Sequence, residues 1–295
     1  MDHGLPDDST VKTALALAVR APSVHNVQPW RWRIDDRYVH LYLDPTPTPI
    51  STDPEQRDLV LSCGAALHHL RIAFAALGWS AVVHRLPNPV DPNHLAAVEL
   101  VRHRPTPLDI ALSAVISTRQ TDRRHYSSWP IPHGYLGLVN ERAAALGATV
   151  TQARDRPRDV LIETMRTAAA RPHEPQAREF ASPASAGDAH EPDYAELLMI
   201  STSADDRLSR LRAGEAISAV LLTATNIGLA TCLLTEPLER ADLRRRVRVE
   251  VLDELAHPQA VLRIGWPPTS ALPLPMTPRR SVDDVLDPFE SAVAS

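Results

Sequence analysis

Residues 21–30, Ala-Pro-Ser-Val-His-Asn-Val-Gln-Pro-Trp, combine side chains that could bind a heterocyclic ligand with two prolines that stiffen the backbone. Each proline restricts the residue before it to extended geometry and removes one backbone N–H donor. Asn26 and Gln28 each offer an amide oxygen and an amide NH2, which together match a ring edge carrying both N–H and carbonyl groups. The composition favours a binding loop, and an ordinary polar turn would fit the same residues.

Two arginine-rich stretches could bind a phosphate group. Arg119, Thr121 and Arg123 supply two guanidinium groups and a hydroxyl within five residues, and Arg279-Arg280 follows a proline near the C-terminus. A phosphate monoester is nearly a dianion at pH 7, and guanidinium groups bind it through paired hydrogen bonds. Taken alone, the pattern of residues 119–123 is weak, and a solvated arginine cluster explains it better than a phosphate site does.

Together the three stretches carry a family resemblance. The string APSVHNVQPW resembles the AP-S-x-x-N-x-QPW signature of the nitroreductase superfamily of FMN flavoproteins, and its wording is closest to the Acg-type branch of actinobacteria. Residues 119–123 resemble the family's R-x-S-x-R phosphate motif, with Thr121 in place of serine. Residues 278–280, after Gly265-Trp266-Pro267, resemble its iGyP...pRR ending. The resemblance implies that FMN is bound by Pro22, Ser23, Asn26, Gln28, Arg119, Thr121, Arg123, Leu233, Arg279 and Arg280. Which of the last two arginines contacts the phosphate stays open.

Composition and charge exclude several other classes of protein. The net charge of −5 gives no global basic field that would recruit nucleic acid or an anionic membrane. Cys63 and Cys232 lie in apolar runs, which fits reduced thiols of a cytoplasmic protein better than a disulfide framework. Neither an export signal nor a run of 18 apolar residues is evident, so we expect a soluble cytoplasmic protein. His68-His69 lacks the HExxH spacing, and no metal site is expected.

Hydrophobic periodicity predicts a mixed chain of the α+β class. The first predicted helix follows Ser9, which could cap it. The predicted helices cover residues 9–20, 58–77, 108–118, 133–146, 158–170, 205–227 and 238–248. The predicted strands cover residues 30–34, 39–43, 79–85, 95–101, 148–153, 229–234 and 260–265.

An internal repeat indicates that the chain is a duplication. An offset of 150 residues maps one long helix onto another, with glycine on glycine for Gly64 and Gly214 and again for Gly78 and Gly228. An offset of 163 residues maps the strand at 97–98 onto that at 260–261. A repeat of this kind predicts two tandem halves, which we place at residues 1–107 and 108–295.

The family resemblance suggests why the chain is duplicated. Nitroreductases are typically intertwined α+β homodimers that bind FMN at the subunit interface, and the Acg-type branch resembles such a dimer joined into one chain. The signature loop occurs only in the first half and the R-x-T-x-R motif only in the second. The resemblance therefore implies one intact FMN site, a degenerate second site and a monomeric protein.

The resemblance implies an NAD(P)H-dependent FMN oxidoreductase that reduces nitroaromatic or quinone-type acceptors. An alternative is an FMN-binding protein that sequesters the flavin with little turnover. It is suggested by residues 231–235, which lack the glycine and acidic pair that the family often places near the flavin, and by residues 171–193, a proline-rich segment expected to form a lid. No catalytic residue is assigned, and His25 is either structural or catalytic.

Overall fold

A computed structural model describes residues 5–46, 53, 55–170, 193–269 and 272–287. The chain forms two compact units: Met1–Ser117 together with Pro278–Ser295, and Thr118–Thr277. This division differs from the predicted one, because the boundary follows Ser117 rather than residue 107 and the C-terminal residues belong to the first unit. The predicted lid at residues 171–193 lies outside the described residues except for Asp193.

The helices and strands follow the predicted order closely. The helices are α1 (Asp8–Ala18), α2 (Arg57–Ala76), α3 (Pro107–Val115), α4 (His133–Ala144), α5 (Asp155–Ala169), α6 (Arg207–Asn226), α7 (Glu236–Glu239), α8 (Ala241–Glu250) and α9 (Val282–Val285). The strands are β1 (Trp30–Ile34), β2 (Tyr38–Leu43), β3 (Trp79–Arg85), β4 (His94–Arg102), β5 (Thr149–Gln152), β6 (Glu196–Thr202), β7 (Ala230–Leu234) and β8 (His257–Gly265).

Two local predictions need correction. The N-cap of α1 is Asp7 rather than Ser9, because the helix begins at Asp8 and the Asp7 carboxylate accepts a hydrogen bond from the Thr10 N–H at 2.9 Å. The helix predicted over residues 238–248 is two helices, α7 and α8. They are separated at Arg240, whose backbone is extended.

The first unit is an antiparallel sheet in the order β1-β2-β4-β3, with α1 and α2 packed together. Strand β2 shows why the sheet has one core face: Val39, Leu41 and Leu43 are buried, whereas the alternating residues are partly exposed. Helix α2 is buried along almost its whole length. The apolar side chains of α2 and β2 therefore form the centre of this unit.

The C-terminal segment belongs to the first unit through contacts with β1. Leu286 forms a parallel bridge with Trp32, and the Asp287 N–H donates to the Trp32 carbonyl at 2.7 Å. The Asp287 carboxylate also pairs with Arg31. These contacts fix the end of the arm that carries Arg279 and Arg280.

The second unit repeats this plan and extends it. Its sheet has the antiparallel order β5-β6-β8-β7, and α4 packs against α6 as α1 does against α2. Helices α5, α7 and α8 contribute to an apolar cluster of this unit. The buried members of this cluster are Ala153, Leu161, Leu197, Met199, Leu238, Val247, Leu252 and Val261.

The predicted repeat is confirmed in three dimensions. Helices α2 and α6 both have 20 residues and begin 150 residues apart, and β4 and β8 both have nine residues and begin 163 apart. Gly78 and Gly228 follow the two long helices with φ of 91° and 85°, the left-handed backbone that ends a helix. The shared sheet order and shared offsets identify two tandem α+β halves.

Of the helices that the structure describes, α2 alone is long and apolar enough by length and composition to cross a membrane. In its most apolar window 78% of the residues are buried inside the protein. Since the core helix of a globular domain passes the same test, α2 is weak evidence for a membrane span.

Candidate functional site

The signature loop has an unusual backbone. His25, Asn26 and Gln28 have φ of 45°, 57° and 51°, in the left-handed region that residues other than glycine rarely adopt. Each such residue costs roughly 1 kcal/mol or more, so the surrounding contacts must hold the loop in this shape. Strain of this kind concentrates at binding and catalytic sites.

Hydrogen bonds inside the loop and to α2 hold this conformation. The Ser23 hydroxyl accepts from the Gln28 N–H at 3.0 Å, and the Gln28 side-chain NH2 donates to the Asn26 carbonyl at 3.2 Å. The Val24 N–H donates to the hydroxyl of Ser62 on α2 at 3.1 Å. Pro22 is buried at the start of the loop. The loop is therefore organised by its own polar side chains.

The C-terminal arm contacts the loop directly. The Asn26 Oδ1 accepts from the Arg279 Nη1 at 2.9 Å, and the Asn26 Nδ2 donates to the Pro278 carbonyl at 3.1 Å. The Gln28 Oε1 accepts from the backbone N–H of Arg280 at 2.8 Å. Both amide side chains of the signature thus point to the arm, which sequence spacing could not reveal.

The structure separates the roles of the two arginines on the arm. The guanidinium of Arg279 lies at the loop, whereas the guanidinium of Arg280 donates to the Asp284 carbonyl at 2.7 Å. Burial, and to a lesser degree the charge of Arg20, lower the pKa of Arg279 to about 10. Arg279 is still cationic at pH 7, and an anion nearby would offset both effects.

Arg20 is a residue that the sequence reasoning missed. It directly precedes the signature loop, and its carbonyl accepts from the Arg279 Nη2 at 3.5 Å. Its own guanidinium donates to the Ser117 carbonyl at 3.4 Å. A positive residue next to the loop was visible in the sequence, but its closeness to an arginine 259 positions away was not.

In the second unit, the arginine motif lies beside the edge strand β7. Thr121 forms a parallel bridge with Thr231, and the next backbone N–H, that of Asp122, donates to the Thr231 carbonyl at 2.8 Å. Leu233 lies two residues further along the same strand, so it shares a strand face with Thr231. Arg119 is buried, with 6% of its surface exposed, whereas Arg123 is exposed.

Tyr126 anchors the segment that follows the motif. Its hydroxyl donates to the Asp122 carbonyl at 2.7 Å, and the guanidinium of Arg263 lies 4.8 Å from its ring centre. Burial is the main reason why the pKa of Tyr126 is raised above its ordinary value, so it stays neutral. Asp122 in turn holds Arg124 through two side-chain hydrogen bonds of 2.9 and 2.6 Å. The backbone of the motif is therefore fixed within its own unit.

Each unit thus brings together one group of the predicted site residues. The loop group of the first unit is Pro22, Ser23, Asn26, Gln28, Arg279 and Arg280. The strand group of the second unit is Arg119, Thr121, Arg123 and Leu233. Among the described residues, no cluster of three or more His, Cys, Asp or Glu side chains is arranged to hold a metal ion.

Comparison with known proteins identifies the family. No protein-family model matches the chain. A Mycobacterium tuberculosis protein named Putative NAD(P)H nitroreductase is 44% identical over 97% of this chain and 94% of its own length. A second protein of that organism, Putative NAD(P)H nitroreductase acg, is 34% identical over 93% of this chain and 94% of its own. The chain belongs to the nitroreductase superfamily, in its Acg-type branch.

Solved structures of nitroreductases are similar to part of this chain. A nitroreductase with bound FMN from Bacteroides fragilis has a TM-score of 0.43 and 16% identity, covering 57% of this chain and 94% of its own. Nitroreductase A from Vibrio parahaemolyticus has a TM-score of 0.44 and 13% identity, covering 63% of this chain and 78% of its own.

The surroundings of Cys232, which lies between Thr231 and Leu233, determine whether its thiol is protonated. Neither Cys63 nor Cys232 forms a disulfide, and both are buried. Burial raises the pKa of the Cys232 thiol, so the thiolate is disfavoured and the side chain behaves as a small apolar group.

Proposed function

We propose that this protein binds FMN and acts as an NAD(P)H-dependent oxidoreductase of the nitroreductase type. The observation that carries the proposal is the half-buried guanidinium of Arg279, which hydrogen-bonds Asn26 of the strained signature loop. The near full-length relatives named as NAD(P)H nitroreductases support the same function. When bound, FMN supplies the chemistry of accepting a hydride and passing electrons to an acceptor.

The residues present fit an FMN phosphate. Arg279 is a half-buried cation beside a second cation, Arg20, and this is an environment in which a phosphate dianion is favourable. We propose Arg279 as a phosphate ligand, and we propose Arg119, Thr121 and Arg123 as phosphate ligands because they resemble the family's R-x-S-x-R motif.

The remaining residues of the proposed site serve the flavin ring and its ribityl chain. Pro22 and Ser23 are proposed to line them from the loop, and Leu233 is proposed to contact the ring. The carbonyl and hydroxyl oxygens of the loop are largely committed to its own backbone shape. This preorganisation lowers the entropy that a ligand must lose on binding.

Nitroaromatic and quinone-type compounds are the proposed electron acceptors. A sequestering role with little turnover is a second candidate, and one observation favours it. Residues 231–234 form a regular strand in register with β8, from Thr231 opposite Ile264 to Leu234 opposite Val261. The resemblance implies a substrate-facing loop with a glycine and an acidic pair at these positions, and the residues lie in a strand instead.

The decisive experiment is to purify the protein and measure flavin absorbance and phosphate content per chain. We expect one FMN per chain, and we expect sedimentation equilibrium to give a monomer, because both halves are already joined. Anaerobic addition of NADPH then separates the two candidates: rapid bleaching supports the oxidoreductase, and persistent yellow colour supports sequestration. Colourless protein that ignores added FMN would refute both.

Removing either proposed phosphate ligand should weaken FMN binding. Arg119→Ala and Arg279→Ala are each expected to cost about 1.5–3 kcal/mol of binding free energy, the range for a hydrogen bond to a charged group. The measurement is a fluorescence titration with FMN. Arg240→Ala is the matched control, because Arg240 is a surface residue that pairs with Asp242. The phosphate assignment is wrong if FMN affinity is unchanged in both site variants.

A further inference from the structure

Asn26 links the signature loop to the C-terminal arm. Its backbone is left-handed, with φ of 57°, and asparagine tolerates this region better than most residues. Its amide spans two consecutive residues of the arm: the oxygen accepts from Arg279 and the nitrogen donates to the Pro278 carbonyl. An amide that donates to residue 278 and accepts from residue 279 fixes both the path of the arm and the direction of the guanidinium.

Gln28 reinforces the same contact from the other side of the loop. Its oxygen accepts from the Arg280 N–H at 2.8 Å, while its nitrogen donates to the Asn26 carbonyl at 3.2 Å. The side chain is almost fully buried. Three consecutive arm residues, 278–280, are therefore held by the two amides of the signature loop.

We propose that Asn26 and Gln28 are positioning residues that aim Arg279, and that they do not recognise the flavin ring. The inference rests on the proposed FMN function and changes the assignment of these two residues within it. Asn26 orients the guanidinium through a direct hydrogen bond, and Gln28 holds the backbone of the following residue. The ligand part that depends on them is thus the phosphate, which Arg279 binds.

Riboflavin provides the test, because it has the same ring and ribityl chain as FMN and no phosphate. Asn26→Gly removes the amide but keeps a residue suited to the left-handed backbone. Asn26→Asp keeps the shape and places a carboxylate beside Arg279, where it competes with the phosphate. Both variants should weaken FMN binding about tenfold or more, as expected for a misdirected charge-assisted hydrogen bond, and should change riboflavin binding by less than about threefold.

A double-mutant cycle with Arg279→Gln separates positioning from a general loss of structure. Asn26→Gly should cause little further loss of FMN affinity when Arg279 is already glutamine, because the group it positions is gone. Circular dichroism and the retained riboflavin affinity report that the loop is folded.

The possible outcomes are distinct. Equal loss of FMN and riboflavin affinity in the Asn26 variants would overturn the inference, since it would mean that Asn26 contacts the ring or ribityl chain. Additive losses in the cycle would overturn it as well. Wild-type protein that binds neither ligand would instead refute the proposed function.

Discussion

Gly265→Ala is expected to lower the free energy of unfolding by about 1–3 kcal/mol, the usual cost of overpacking a tight interior. A Cβ at this position would lie 2.7 Å from the Tyr126 Cδ2 and 2.9 Å from the Tyr126 Cβ. Such distances require a neighbour to move. Tyr126 has 1% of its surface exposed, and its hydroxyl is held by the Asp122 carbonyl, so it has little room to do so.

Gly265→Ala should also displace the proposed phosphate ligands. Tyr126 contacts Asp122, and Asp122 directly follows Thr121 of the R-x-T-x-R motif. A shift of the tyrosine would therefore displace the backbone that presents Thr121 and Arg123. We expect weaker FMN binding in Gly265→Ala together with the lower stability.

Urea unfolding and FMN titration measure the two effects. Gly137→Ala is the matched control, because Gly137 lies inside α4 and an added Cβ would meet nothing within 4 Å. Alanine in a helix interior is favoured over glycine by about 0.5–1 kcal/mol, so the control should be as stable as the wild type or more stable. If Gly265→Ala unfolds at the same urea concentration as the wild type, Tyr126 does not confine this glycine.

Much of the fold could be predicted from the sequence, because its signals are local. The long helices α2 and α6 could be predicted from their apolar residues and from the glycine after each C-terminal end, where a left-handed residue is needed. The constant offset of 150 residues between them, with glycine on glycine at two positions, also indicated the duplication without any knowledge of tertiary contacts. Strand β3 was predicted with its observed bounds, since alternation and a preceding glycine define it.

The unit to which the arm belongs could not be predicted. Arg279 lies in the predicted second half, yet it joins the first unit through contacts with residues more than 250 positions earlier. No local pattern encodes such a partner. The left-handed backbone of His25, Asn26 and Gln28 was hidden for a related reason: it is imposed by loop and arm contacts rather than by glycine.

The site motifs were visible as residue types, but their roles depended on geometry. Asn26 and Gln28 offer the same donors and acceptors to an arm as to a flavin ring, and only their observed partners favour the arm. Neither Arg20 nor Tyr126 belongs to one of the motifs. Arg20 contacts Arg279, and Tyr126 contacts Asp122, which lies within the R-x-T-x-R motif. The sequence therefore reveals which functional groups are present, but it does not reveal which way the side chains point.

The free energy of unfolding should fall as the pH is lowered from about 6.5 to 4.5, chiefly because of His68 on α2. Burial, and secondarily the charge of Arg71, lower the pKa of His68 to about 3. Below about pH 6.5 the unfolded chain binds a proton at this imidazole that the folded protein does not. The stabilisation is therefore complete above pH 6.5 and is lost as the pH falls towards 3.

His94 should add to the same slope. Burial and the neighbouring His40, whose Nδ1 lies 3.0 Å from the His94 Nε2, lower the pKa of His94 below its ordinary value. The aspartates whose pKa values are lowered, such as Asp7 at about 2, lose their stabilising effect only as the pH falls through and below about 4. The interval from pH 6.5 to 4.5 therefore isolates the histidines.

Urea unfolding at pH 7.5, 6.5, 5.5 and 4.5 measures this dependence. His68 alone should contribute a loss of about 2 kcal/mol between pH 6.5 and 4.5, since each proton taken up only on unfolding gives about 1.4 kcal/mol per pH unit. His68→Leu should remove that part of the slope, His94→Gln should remove a further part, and the double variant should be nearly flat. A slope in His68→Leu equal to that of the wild type would contradict the assignment, because it would mean that the buried imidazole of α2 takes up its proton without unfolding.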